Sequence, residues 1–161
     1  MTVQLTQKEK LLLQDQKTHE EICIQKYKSY ANQASDPQLK QLFNSYAQQE
    51  QQHLDTVNQM LKGQVPDVNQ QQNQIEGQQQ NQPQEHQIDP TMNKSDRQKD
   101  AALCNDLLMT EKYVSDTYNT AIFEFQDTKM RQALNHIQKE EQQHGEGISN
   151  YMINNGMYDP Q

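Results

Sequence analysis

The sequence predicts an all-α protein, a four-helix bundle made of two repeated helical hairpins joined by a long crossover. Three observations carry that prediction. Apolar residues recur at steps of three and four in four separate stripes, the spacing of helices that each bury one face. Glycine and proline number five each and β-branched runs are almost absent, which favours helix over strand. A shift of 91 residues also lays the first half of the chain on the second without a gap.

Thr6-x-x-Glu9 has the form of a capping box, so the first helix is expected to start there and run to about Ala34. Leu13, Glu20, Cys23 or Ile24, Tyr27 and Ala31 share its inner face. Ser35-Asp36-Pro37 stops one helix and starts the next: Asp36 suits an N-cap and Pro37 a first helical turn. The second helix, with the stripe Leu39, Phe43, Tyr46, Glu50, His53, Val57 and Met60, runs to about Lys62, where Gly63 ends it. From 63 to about 94 the periodicity vanishes into Gln and Asn, interrupted by Pro66, Pro83 and Pro90, and reads as an irregular crossover. Ser95-x-x-Gln98 is a second capping box for the third helix, with Asp100 an alternative start; Cys104, Leu107, Leu108, Glu111, Val114, Tyr118, Ile122 and Phe125 form its stripe. Asp127 caps the fourth, whose stripe is Met130, Leu134, Ile137, Glu141, His144, Ile148 and Tyr151, ending at Asn155-Gly156. Residues 1–161 are therefore expected to form one domain: hairpin 1 over about 6–62, crossover over about 63–94, hairpin 2 over about 95–156.

Composition bounds the function. The chain of 161 residues is 32% apolar with net charge −8, and its mean hydropathy is −1.19. Those values lean toward disorder, but the apolar residues are gathered into the stripes. An acidic chain with no basic cluster argues against nucleic acid or an anionic membrane surface as partner. No stretch is apolar enough to span a bilayer and no signal peptide opens the chain, so a soluble, cytoplasmically made protein is expected. Cys23 and Cys104 stand on apolar stripes, are expected to pack as small hydrophobes without a disulfide, and do not occupy matching repeat positions.

The centre of each stripe breaks the pattern. Glu50-Gln-Gln-His53 and Glu141-Gln-Gln-His144 place a carboxylate and an imidazole where apolar residues belong, and Glu20 and Glu111 do the same in the other two helices. A bare carboxylate in a helical core costs several kcal/mol unless something neutralises it. The 91-residue shift pairs Glu20 with Glu111, Tyr27 with Tyr118, Asp36 with Asp127 and Glu50 with Glu141. Glu20 and Glu50 are equally far in sequence from Ser35, as Glu111 and Glu141 are from Gln126, so each pair lies at one level of its hairpin, about 22 Å from the turn. Hairpins packed head to tail bring four glutamates and two histidines to one layer. That is the ligand array of a di-iron or di-manganese carboxylate bundle, with one Glu from each of two helices and Glu-x-x-His from each of the others. Glu20, Glu50, His53, Glu111, Glu141 and His144 are thus candidate ligands for two iron or manganese ions; zinc can substitute in isolated protein. A buried layer of hydrogen-bonded Glu and His without metal is the alternative, and stripes turned to water a third.

Around that set, Tyr27, Tyr46 and Tyr118 are read as core residues with wet hydroxyls, hydrogen bonding to the ligands being the alternative. Glu21 and Glu140 adjoin the candidates but lie about 100° round the helix, and are expected to be solvated, with either replacing a ligand if the helical phase is shifted. His19, His86 and His136 are expected at the surface, and the paired glutamines of each motif to point outward.

The second hairpin also resembles a known family. Glu111-Lys112-Tyr113, Thr117-Tyr118-Asn119, Glu140-Glu141-Gln142-Gln143-His144, Tyr151-Met152 and Gly156-Met157-Tyr158, in order within residues 106–158, are similar to the coat F family of bacterial spore coat proteins. Met157 departs from it where a tryptophan is expected, a change of packing that leaves the candidate ligands untouched. Hairpin 1 matches more loosely, through Glu20 and Glu50-Gln-Gln-His53. The resemblance implies a ferritin-like fold, a place in the spore coat after synthesis in the mother-cell cytoplasm, and other coat proteins or further copies of the chain as partners; it implies no reaction. Two functions stay open. One is a structural coat protein keeping a ferritin-like core, its Gln-rich crossover either suited to contacts and isopeptide cross-links or a tolerated low-complexity loop. The other is a di-iron or di-manganese oxidoreductase acting on peroxide or oxygen.

Overall fold

The computed structural model describes residues 2–67 and 91–159. Most of the crossover expected over 63–94, with His86, lies outside them. The described residues form four helices and no strand: α1 (Gln7–Gln33), α2 (Pro37–Leu61), α3 (Lys94–Glu124) and α4 (Thr128–Asn154).

Local chemistry accounts for the helix ends. Thr6 accepts the Glu9 amide at 3.2 Å while the Glu9 carboxylate accepts the Thr6 amide at 2.7 Å, completing the capping box. Asp36 accepts the Gln38 amide at 3.0 Å with Pro37 opening α2, and Asp127 accepts the Met130 amide at 2.9 Å. α3 departs from expectation. Its cap is Asn93, whose side chain accepts the Asp96 amide at 2.8 Å, so Ser95 lies inside the first turn and makes no capping box. Asn fills a cap as well as Ser does, and helix ends read from pattern alone shift by a residue or two. Gly63, with φ +74°, follows α2, and a Cβ there would sit 2.4 Å from the Val3 carbonyl oxygen. Val3 donates to the Gly63 carbonyl at 2.7 Å, tying the N-terminal segment to the end of α2.

α1 packs on α2 and α3 on α4, while α1 also faces α3 and α2 faces α4. Two carboxylates fix the relative direction. Glu9, at the start of α1, accepts the Gln126 amide at 3.0 Å in the α3–α4 turn. Asp100, near the start of α3, accepts the amides of Ser35 and Asp36 at 2.8 and 3.0 Å in the α1–α2 turn. α1 and α3 are therefore antiparallel, and each clamps the turn of the opposite helix pair. Glu9 and Asp100 are themselves 91 residues apart. The chain leaves α2 at one end of the bundle and enters α3 at the other.

The apolar core is in two parts. One includes Leu13, Val57, Met60, Tyr118, Met130 and Leu134; the other includes Tyr27, Leu39, Phe43, Cys104, Leu107 and Ile148. Cys23 and Cys104 are buried free thiols, as expected. Between these two clusters lies a polar layer.

Candidate metal centre

Each helix delivers one side of that layer. Glu20 on α1 and Glu111 on α3 stand alone; α2 and α4 supply Glu50 with His53 and Glu141 with His144, one turn apart on a single stripe. All six are buried, from 0% to 3% exposed. Their ligating atoms form two overlapping groups, Glu20, Glu50, His53 and Glu141, and Glu50, Glu111, Glu141 and His144, within each of which every atom lies within 4.8 Å of the others. Glu50 and Glu141 are common to both, as two bridging carboxylates would be.

The imidazoles are oriented alike. His53 turns Nδ1 to Glu50 and Glu141, each at 3.1 Å. His144 turns Nδ1 to Glu50 at 3.2 Å and Glu111 at 3.3 Å. Both point Nε2 away from the four candidate ligand carboxylates. His53 Nε2 meets Glu140 at 2.5 Å, and Glu140 also lies 3.3 Å from His136. His144 Nε2 meets the amide oxygen of Gln49 at 2.5 Å. With cations in the layer, these acceptors would hold the proton on Nε2 of each ring and leave the Nδ1 lone pair to ligate, the tautomer a metal ligand requires.

Glu140 thus corrects the expectation of a solvated residue. It points 100° away from the ligand stripe, but that direction leads to the α2–α4 interface, where it is buried. Glu21 is exposed, as expected. Tyr27 and Tyr118 correct the expectation of wet hydroxyls. Both are fully buried, Tyr27 donating to Glu111 and Tyr118 to Glu20, so that each tyrosine serves a carboxylate on the other long helix. Tyr46 is half-buried with its ring against His144, centroids 4.3 Å apart. Its hydroxyl fills the space that a side chain at Gly147 would take, where a Cβ would lie 1.8 Å away. His19 and His136 are half-buried rather than at the surface: His19 packs edge-on against Tyr113 and His136 serves Glu140. Gln51, Gln52 and Gln142 are exposed, and Gln143 is half-buried.

Burial and carboxylate crowding set the charge state. Burial first, then Glu20 and Glu111, push Glu50 well above the usual carboxylate range. Glu141 is raised likewise by burial and by Glu50, Glu111 and Glu20. Burial opposes ionisation of Glu111 as well, but hydrogen bonds and the charge of His144 outweigh it and hold it at about 2. Burial also works against a charged His53, yet its contacts with Glu140, Glu141, Glu20 and Glu50 raise it well above the usual imidazole value. Without cations, the cluster therefore favours the protonated forms of the two shared carboxylates and of His53.

The donor set fits a pair of divalent cations. It is oxygen-rich, with one imidazole per position, and Glu20 Oε2, Glu111 Oε2 and Glu141 Oε2 are buried with no hydrogen-bond partner. An orphaned buried carboxylate oxygen calls for a donor or a cation.

A helical bundle with a Glu- and His-lined centre is the class of protein that fold and site define. Residues 99–161, covering nearly all of α3 with α4 and the tail, match the family described as Coat F domain. That match supports the coat F family over the part of the chain where the sequence resembles it. No curated protein matches the chain. Among the described residues no helix is long and apolar enough to cross a membrane.

Proposed function

We propose that this is a spore coat protein of the coat F type, with a ferritin-like bundle that holds two iron or manganese ions. Glu50 and Glu141 would bridge them, Glu20 and His53 would complete one position, and Glu111 and His144 the other. The observation that carries the reading is the shared-carboxylate arrangement of two four-residue groups, buried together with unpartnered oxygens. The Coat F domain match supports the coat location and assembly with other coat proteins. Two ions in such a site supply Lewis acidity and, for iron or manganese, one-electron chemistry. The chain's own residues hold the carboxylates in place through Tyr27 and Tyr118 and fix the ring orientation through Glu140 and Gln49. The test is metal content by mass spectrometry of protein expressed in medium supplemented with iron and manganese. Two equivalents are expected, lost in Glu50→Ala and Glu141→Ala; no bound metal, with unchanged stability in both variants, would leave only a structural role.

A second reading, oxidoreduction of peroxide or oxygen at the same site, is favoured by one feature. A groove between α1 and α3, about 370 Å³ in volume, is lined by Ile22, Met109, Tyr113, Cys23 and Val114. Cys23 and Val114 are buried and stand one turn beyond Glu20 on α1 and Glu111 on α3, so the groove's inner wall adjoins the ligand layer. A small uncharged oxidant needs such a route. Turnover of hydrogen peroxide by metal-loaded protein is the expected result of this reading, and inert loaded protein would end it.

A further inference from the structure

The candidate ligands match across the 91-residue shift, but the residues behind the two imidazoles do not. Gln49 and Glu140 are shift-related, each preceding a bridging glutamate by one position. His53 Nε2 therefore meets a carboxylate, and His144 Nε2 a neutral amide oxygen, at the same 2.5 Å. The other oxygen of Glu140 lies 3.3 Å from His136 Nε2, one turn earlier on α4. The counterpart of His136 in α2 is Ser45, which is exposed. The ligand sets themselves are balanced, although Tyr46 packs its ring on His144 and its counterpart across the shift is Ile137. Each has one unshared glutamate, each such glutamate accepts from a buried tyrosine, and both draw on Glu50 and Glu141.

This difference has a direction. An imidazole ligates through Nδ1 while its Nε2 proton is held by an acceptor, and the acceptor sets how strongly the ring donates. A carboxylate accepts a stronger hydrogen bond than an amide oxygen and brings a full negative charge close to the cation. An amide leaves the ring a weaker donor and adds no charge.

Resting on the di-metal reading, we propose that the two positions are inequivalent: the one formed by Glu20, Glu50, His53 and Glu141 fills first and holds its cation more tightly, and Glu140 is the positioning residue responsible. The protein then retains one divalent cation firmly while exchanging the other at the Glu111–His144 position, so two different cations can occupy one bundle in a fixed order.

Titration of the metal-free full-length protein with Mn²⁺, followed by calorimetry and electron paramagnetic resonance, tests this. The wild-type protein is expected to bind two equivalents in two steps whose Kd values differ by roughly ten- to a hundredfold. An isolated Mn²⁺ signal should dominate at one equivalent and give way to a spin-coupled pair at two. Glu140→Gln is expected to weaken the first step and bring the two together. Gln49→Glu, which leaves Glu140 in place, is expected to tighten the second step and close the gap from the other side. Two equivalents taken up in a single step by the wild type, or a gap unchanged in both variants, would overturn the inference while leaving a di-metal site standing. Neither Mn²⁺ nor, under anaerobic conditions, Fe²⁺ bound by any of the three proteins would remove the di-metal reading and the inference together.

Discussion

Glu50 and Glu141 sit at the point of greatest electrostatic strain. Both are fully buried among other carboxylates, and burial and those neighbours raise both carboxyls well above the usual range. Cations entering the layer compete with protons at Glu50, Glu141 and His53, so metal binding releases protons and apparent affinity climbs as pH rises. The metal-free fold behaves oppositely. Groups with a raised folded pKa stabilise below their unfolded values, and that contribution is lost as pH rises through the raised ones: from 4.5 upward for Glu50 and Glu141, and from 6.5 upward for His53. Glu111 and Glu140, both held at about 2, contribute in the reverse sense, losing their share as pH falls from 4.5 toward that value. Thermal melts should therefore show the metal-free protein losing Tm as pH rises above 6.5, with loaded protein losing much less; parallel curves would contradict this charge assignment. Glu50→Gln should leave metal-free stability equal or higher, since it removes an ionisable group from a crowded site, and should abolish the rise in Tm on metal addition. Tyr27→Phe or Tyr118→Phe should lower stability by about 1–3 kcal/mol in chemical denaturation, through loss of a donor to a buried carboxylate.

The six candidate ligands were legible because helical spacing is fixed: a Glu and a His one turn apart in an apolar stripe must share its burial. What escaped the sequence depends on contacts across helices. Glu140 lies off the stripe, and only the position of α4 against α2 shows that it meets His53. A signal existed, for an imidazole that ligates through one nitrogen needs an acceptor for the other, and the residue before each bridging Glu is polar in both halves. Tyr27 and Tyr118, each two turns beyond a buried Glu, offered a similar clue.

At the scale of elements, the bundle's alignment depends on its ends. Glu9 was legible as half of a capping box, but its second bond, to Gln126, joins residues 117 apart and has no sequence signature. Asp100 was read as an alternative helix start; it is instead a fully buried clamp on the α1–α2 turn. Asp100→Ala leaves two turn amides without their acceptor, and should lower stability by about 1–3 kcal/mol in urea denaturation. An effect within measurement error would mean that water or a neighbouring group replaces the carboxylate at no loss. Gly63→Ala combines a left-handed backbone with a clash on the Val3 carbonyl. It should lower stability by about 1–3 kcal/mol and release the N-terminal segment, seen as faster amide exchange at Val3.

Across the whole molecule, antiparallel α1 and α3, each clamped to the opposite turn, bring the midpoints of four long helices to one level. The apolar clusters on either side exclude water from the layer between them and strengthen every charge interaction there. Such a layer is a poor way to stabilise a bundle, since well-packed apolar side chains of similar volume serve as well or better than buried charges. Its four-carboxylate composition is understandable if cations complete it. The most direct measurement is anomalous X-ray scattering, at the iron and manganese edges, from crystals of protein produced with both metals. The account predicts two peaks between Glu50 and Glu141, one beside His53 and the other beside His144. A density map with no anomalous peak in the layer, and the six side chains closed on one another by hydrogen bonds, would contradict it.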